Sequence, residues 1–73
     1  MAQLTREIIR DDVAAVLGLP SSELDDTANL IDEGLDSIRA MTLVERWRSA
    51  GADVDLVDLV GEPTIEAWSE ILG

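Results

Sequence analysis

The amino-acid sequence predicts an all-α domain of three main helices plus one short helix, with a long first loop. Three observations carry this prediction. Apolar residues recur at helical spacing in three separate segments. Only "ADVDLVDLV" can be read as an alternating strand, and a lone strand has nothing to pair with. The 47% of residues that are hydrophobic are mostly Leu, Ile, Val and Ala, with two Trp and no Phe, Tyr or Cys. A 73-residue chain without disulfides must build its core from such packed side chains.

The first segment, "LTREIIRDDVAAVLGL", places Ile9, Val13, Val16 and Leu17 at i, i+4, i+7 and i+8, one face of a helix. Gly18 and Pro20 then stop it. Residues 18–36, "GLPSSELDDTANLIDEGLD", form the long connection. It mixes turn formers and acids with Leu24, Leu30, Ile31 and Leu35, so it is expected to pack across the bundle. A short helical turn is expected around Ser22 to Leu24. The second helix is expected from Ser37 to about Ala50, ended by Gly51, with Ala40, Leu43, Val44 and Trp47 as its core stripe. Asp55 to Val60 is expected as the short helix. The last helix is marked by Thr64 as N-cap and by Glu66 in its first turn, where the helix dipole favours an anion. Pro63 and Trp68 are placed for a hydrophobic staple, and Ile65, Trp68, Ile71 and Leu72 are expected to face inward.

Net charge is −11 and the chain has no lysine. Such a surface repels polyanions, which excludes nucleic acid and disfavours anionic membranes. Proteins with basic docking faces fit it, and the same charge also serves solubility. "MAQLTREIIRDDV" puts charges where a secretory segment needs an apolar core, and no apolar run is long enough to cross a bilayer. A soluble, cytoplasmic monomer is expected.

Familiar chemical motifs fail on inspection. Counted from Asp25, the position where a calcium loop requires Gly is Leu30. No phosphate-cradling Gly-rich loop exists, and no G-x-S-x-G elbow surrounds Ser37. Ser37 nonetheless sits where loop becomes helix, in "DEGLDSIRAM". A serine nucleophile needs a base, and this chain has no His and no Lys. Asp36 is a weak base. Ser37 is therefore either a plain helix cap or a substrate whose base is brought by another enzyme. A helix start favours the second role, because its free N–H groups stabilise an attached anion. Gly34 allows close backbone approach by a visiting enzyme. On the helical wheel Ile38 lies almost opposite the core stripe and Met41 well to its side, with Thr42 and Glu45 on the same outer face. Two spare apolar residues beside a modification site read as a docking patch.

"LIDEGLDSIRAM" resembles the phosphopantetheine attachment motif of carrier proteins, and the likeness continues through "LVERWRSAGADVDLVDLVGEPTIEAWSEIL". It covers about residues 5 to 72 of a single carrier domain, 1–73. "GLDS", Arg39, "ERWR" and the closing "PTIEAW" are most similar to aryl carrier domains of siderophore-type nonribosomal peptide synthesis. The resemblance implies a small four-helix carrier-protein bundle that is not itself an enzyme. A phosphopantetheinyl transferase, using magnesium and coenzyme A, would attach 4′-phosphopantetheine to Ser37 Oγ. The arm's thiol, which this cysteine-free chain lacks, would carry the acyl group. An aryl-acid adenylating enzyme would load it and a condensation domain would accept it. Carried over by position, the partner surface would include Ile38 and Met41, then Leu56 and Val60, which could equally be core. Asp36 matches the family's acid before the serine, with capping or contact to a basic transferase as its role. Arg39 and Arg46 are expected to pair with nearby acids, and Trp47 and Trp68 to lie in the core. Other readings are a peptidyl or acyl carrier of different cargo, or an unmodified acidic interaction module. Met1 and the short tail suit a free-standing carrier, and equally an excised domain.

Overall fold

The computed structural model describes residues 4–72, so the start at Met1 lies outside the described residues. The elements are α1 (Arg6–Leu17), a 3-10 turn (Ser21–Glu23), α2 (Ser37–Ser49), α3 (Leu56–Gly61) and α4 (Ile65–Leu72). No strand occurs among the described residues. Helix α1 packs on both α2 and α4, and α3 packs on α2.

Each helix begins on a side-chain cap. Thr5 Oγ1 accepts from Ile8 N at 3.2 Å at the start of α1, a cap the sequence reading passed over. Gly18 closes α1 in the left-handed region at φ 71°, where a side chain would be strained. Asp55 and Asp58 form a reciprocal capping box on α3, so that helix starts one residue later than expected. Thr64 Oγ1 accepts from Ala67 N at 3.1 Å on α4, as expected of it.

The core is aliphatic around two indoles. Ile9, Val13, Leu30, Leu43, Trp47, Leu59, Ile65 and Trp68 are fully buried, and Val16, Leu17 and Leu72 pack against them. Trp47 and Trp68 meet edge to face, with centroids 5.8 Å apart and planes at 71°. Each indole N–H is satisfied: Trp47 Nε1 donates to Asp12 Oδ2 at 2.9 Å, and Trp68 Nε1 to the Leu59 carbonyl at 3.0 Å.

The long loop is a wall of this core. Leu24, Leu30 and Leu35 are buried. Leu30 N donates to the Pro63 carbonyl at 2.8 Å, and Glu66 N to the Asp26 carbonyl at 2.9 Å, which ties the loop to the start of α4. The Asp26 carboxylate accepts from Arg6 and Arg10 of α1. The Arg10 hydrogen bond holds that carboxyl below the usual carboxylate range. Three expectations are corrected here. Ile31 is 51% exposed, because the turn that buries Leu30 directs its neighbour outward. Ile71 is 46% exposed, because Trp68 and Ala67 fill the inward side of α4. The single turn spans Ser21–Glu23, one residue earlier than placed.

Candidate functional site

Ser37 is exposed and is the first residue of α2, not its cap. The cap is Asp36, whose Oδ1 accepts from Arg39 N at 2.8 Å. This separates the two residues' work. Asp36 satisfies the helix end, and the Ser37 hydroxyl is left free of that duty. Ala40 N donates to the Asp36 carbonyl at 2.8 Å. The amides of Ser37 and Ile38 precede the first intrahelical bond and remain available to an anion.

The approach to Ser37 is set by the loop. Gly34 lies at φ 114°, a conformation side chains rarely adopt. Leu35 then turns inward and is buried, with its N–H donating to the Leu30 carbonyl at 3.0 Å. Beyond Ser37 an open groove of about 370 Å³ runs along the outer face of α2, lined by Ser37, Ile38, Met41, Thr42 and Glu45. Ile38, Met41, Thr42 and Glu45 are the four residues the wheel set away from the core stripe, and Ser37 joins them here. Ile38 is 78% exposed and Met41 40%, so the groove floor is apolar while its far end carries a carboxylate. A second groove of equal volume lies between α3 and α4, lined by Asp58, Gly61, Glu62, Ala67, Glu70 and Ile71. It offers no hydroxyl to modify.

Of the two weaker surface candidates on α3, Val60 is exposed, whereas Leu56 is half-buried and packs on the core. The residue the sequence reading missed is Val57, 76% exposed. The Asp55/Asp58 capping box was the signal for it. That box fixes the register of α3, buries Leu59 and sends Val57, two residues earlier, to the opposite side.

Among the described residues each of the five arginines lies within ion-pair distance of a carboxylate: Arg6 and Arg10 with Asp26, Arg39 with Asp36, Arg46 with Asp12, and Arg48 with Asp55. Arg46 and Trp47 of α2 thus share Asp12 of α1. Among the described residues no cluster of acids is placed to hold a metal ion. No helix among them is long and apolar enough to cross a membrane.

Known proteins match this arrangement over nearly the whole chain. The family described as phosphopantetheine attachment site matches residues 7–72. Phenyloxazoline synthase MbtB of Mycobacterium tuberculosis (strain ATCC 25618 / H37Rv) is 53% identical over 66 residues, 90% of the chain and 5% of that protein. Isochorismatase of Bacillus subtilis (strain 168) is 47% identical over 68 residues, 93% of the chain and 22% of that protein. Enterobactin synthase component B of Escherichia coli (strain K12) is 41% identical over 68 residues, 93% of the chain and 24% of that protein. The chain therefore spans less than a quarter of the length of these curated relatives. The features a phosphodiester-linked arm would need are present: the Ser37 side chain is exposed at a helix start, and an apolar groove begins beside it. Helical fold, family match and relatives agree: the chain belongs to the phosphopantetheine attachment family, whose members are carriers holding 4′-phosphopantetheine covalently and are substrates of other enzymes, not catalysts.

Proposed function

We propose that Ser37 is the attachment point, and that the chain holds an aryl acid as a thioester and shuttles it between enzymes. The observation that carries the reading is an exposed serine at the first position of α2, relieved of capping by Asp36 and opening onto the Ile38–Met41 groove. The chain supplies no base for it, having no His and no Lys. A phosphopantetheinyl transferase would supply base and magnesium. Ser37 Oγ forms a bond to phosphorus of coenzyme A, the adenosine bisphosphate half leaves, and the hydroxyl proton passes to the transferase's base. The amides at the start of α2 then favour the phosphodiester, by roughly 0.3–1 kcal/mol for an exposed anion at a helix start. The attached group contributes the thiol that this chain lacks.

An aryl-acid adenylating enzyme would load the thiol and a condensation domain would receive the acyl group. Asp36, Ile38, Met41, Val57 and Val60 form the surface offered to these partners, with Leu56 behind it. The aryl cargo is supported by the resemblance to siderophore-type carriers and by a relative named for an aryl-bearing product, phenyloxazoline synthase. This reading has the carrier act as a monomer in the cytoplasm, where coenzyme A is available. Intact mass after incubation with a promiscuous transferase and coenzyme A tests the attachment. One phosphopantetheine should be added to the wild type and none to Ser37→Ala. A panel of adenylating enzymes with aryl, amino and aliphatic acids then tests the cargo. Preferential loading by amino or aliphatic acids would replace the aryl reading with a peptidyl or acyl one.

A further inference from the structure

Between Ile31 and Arg39 the chain must pass from a turn into a helix through Gly34, a residue with little intrinsic preference for one conformation. The peptide plane joining Gly34 to Leu35 is nevertheless held from both sides. Its N–H donates to the Leu30 carbonyl at 3.0 Å. Its carbonyl accepts from Arg39 Nη1 at 2.9 Å. The same arginine gives its backbone N–H to Asp36 Oδ1 at 2.8 Å, and its guanidinium lies 3.9 Å from Asp36 Oδ2. Arg39 thus closes a ring from the first turn of α2 back to the last turn of the loop, with Ser37 inside it. The space around Gly34 is otherwise open: the nearest group to a β-carbon placed there is that guanidinium, at 4.0 Å.

We propose that Arg39 is a positioning residue for modification of Ser37, acting by pinning the Gly34 carbonyl rather than by touching the transferase. The proposal rests on Ser37 being the attachment point. Without the guanidinium, the Gly34–Leu35 plane keeps only its loop-side bond. The segment entering α2 then loosens at Gly34, on the approach to Ser37, while Asp36 keeps its bonds from the amides of residues 39 and 40. The fraction of bound encounters in which Oγ is aligned for in-line attack falls. Two rival roles predict different outcomes. If Arg39 docked on the transferase, its loss would raise KM and spare kcat. If it acted only through net charge, its removal would make the carrier more acidic and improve encounter with a basic partner.

The test is transferase kinetics on Arg39→Met and Arg39→Lys, with Ser37→Ala as control. Arg39→Met should lower kcat about three- to tenfold, the order expected for one hydrogen bond at an exposed site. KM should stay within about twofold, the split expected when alignment rather than binding is lost. Arg39→Lys keeps a cationic donor on a stem one bond shorter and should recover part of that loss. Heteronuclear NOE values for the Gly34 and Leu35 amides should fall in Arg39→Met and hold in Arg39→Lys. Unchanged kcat, a loss confined to KM, or equal loss in both variants would overturn the proposal. Modification of Ser37→Ala, or none of the wild type, would instead sink the attachment reading. The NOE measurement still reads the clamp in that case, and unaltered values in Arg39→Met would remove it as well.

Discussion

Leu30 and Ile31 are neighbours of nearly equal size in the same loop, yet the first is fully buried and the second half-exposed. Truncating each to Ala tests whether the long loop is part of the core. Leu30→Ala removes three buried carbons, about 2.4 kcal/mol at roughly 0.8 kcal/mol per methylene. A cavity term adds to this, because the Leu30 backbone is fixed and the site cannot collapse. Its N–H is bonded to the Pro63 carbonyl, and its own carbonyl takes the amides of Glu33 and Leu35. A loss of about 3 kcal/mol falls within the range for buried leucines. A chain of this length has about 4–11 kcal/mol in total at 0.05–0.15 kcal/mol per residue, so the loss is severe. Ile31→Ala should cost at most about 0.5–1 kcal/mol. Urea unfolding followed by fluorescence of the two buried tryptophans separates them. With a urea slope of about 1–1.5 kcal/mol/M for so small a domain, the Leu30→Ala midpoint should drop by about 2 M. Equal small shifts for both variants would refute the view that this loop is structural.

Four further outcomes follow from the same contacts. Asp36→Ala should cost about 1 kcal/mol as a lost cap while Asp36→Asn retains most of it; denaturation of the pair separates capping from charge. Trp68→Phe leaves the Leu59 carbonyl without its partner and should destabilise by about 1–3 kcal/mol by urea melt. Asp26 is held below its unfolded value of about 3.9, so its contribution is complete above that pH and is lost as pH falls through the lower folded value. Midpoints at pH 5 and pH 3 should therefore differ more for wild type than for Asp26→Asn, whatever general relief of repulsion acid brings to both. Ile38→Ala and Val57→Ala should leave stability within about 0.5 kcal/mol but lower kcat/KM for loading by an adenylating enzyme; loading unchanged in both would remove them from the partner surface.

The fold was legible where hydrophobic spacing was long enough to be read. The stripe of Ala40, Leu43, Val44 and Trp47 is buried throughout, and Ile38 and Met41 lie outside it. Legibility failed where a single residue's direction depends on a turn. Nothing in "NLIDEG" says that Leu30 turns inward and Ile31 outward; the hydrogen bond to Pro63, 33 residues away in sequence, decides it. Ile71 failed for a related reason, since α4 has more apolar residues than its inward face accepts. Within the site, Ser37 and Asp36 were readable as hydroxyl and neighbouring acid, and capping was named for the acid. The Arg39 bond to Gly34 was not, because a charged side chain among acids is expected to find a carboxylate, and here a backbone carbonyl claims its shortest contact. Asp12 as a shared acceptor for Trp47 and Arg46 joins residues more than thirty apart, which local pattern does not reach.

The pairing of every arginine with an internal acid has a consequence for traffic. With no arginine left unpaired among the described residues to mark one visitor from another, the field draws all basic enzymes in alike, and dissolved ions weaken all those arrivals together. On the proposed partner surface, the order in which enzymes take their turn would then be decided at short range, by how well each covers a handful of bare aliphatic side chains.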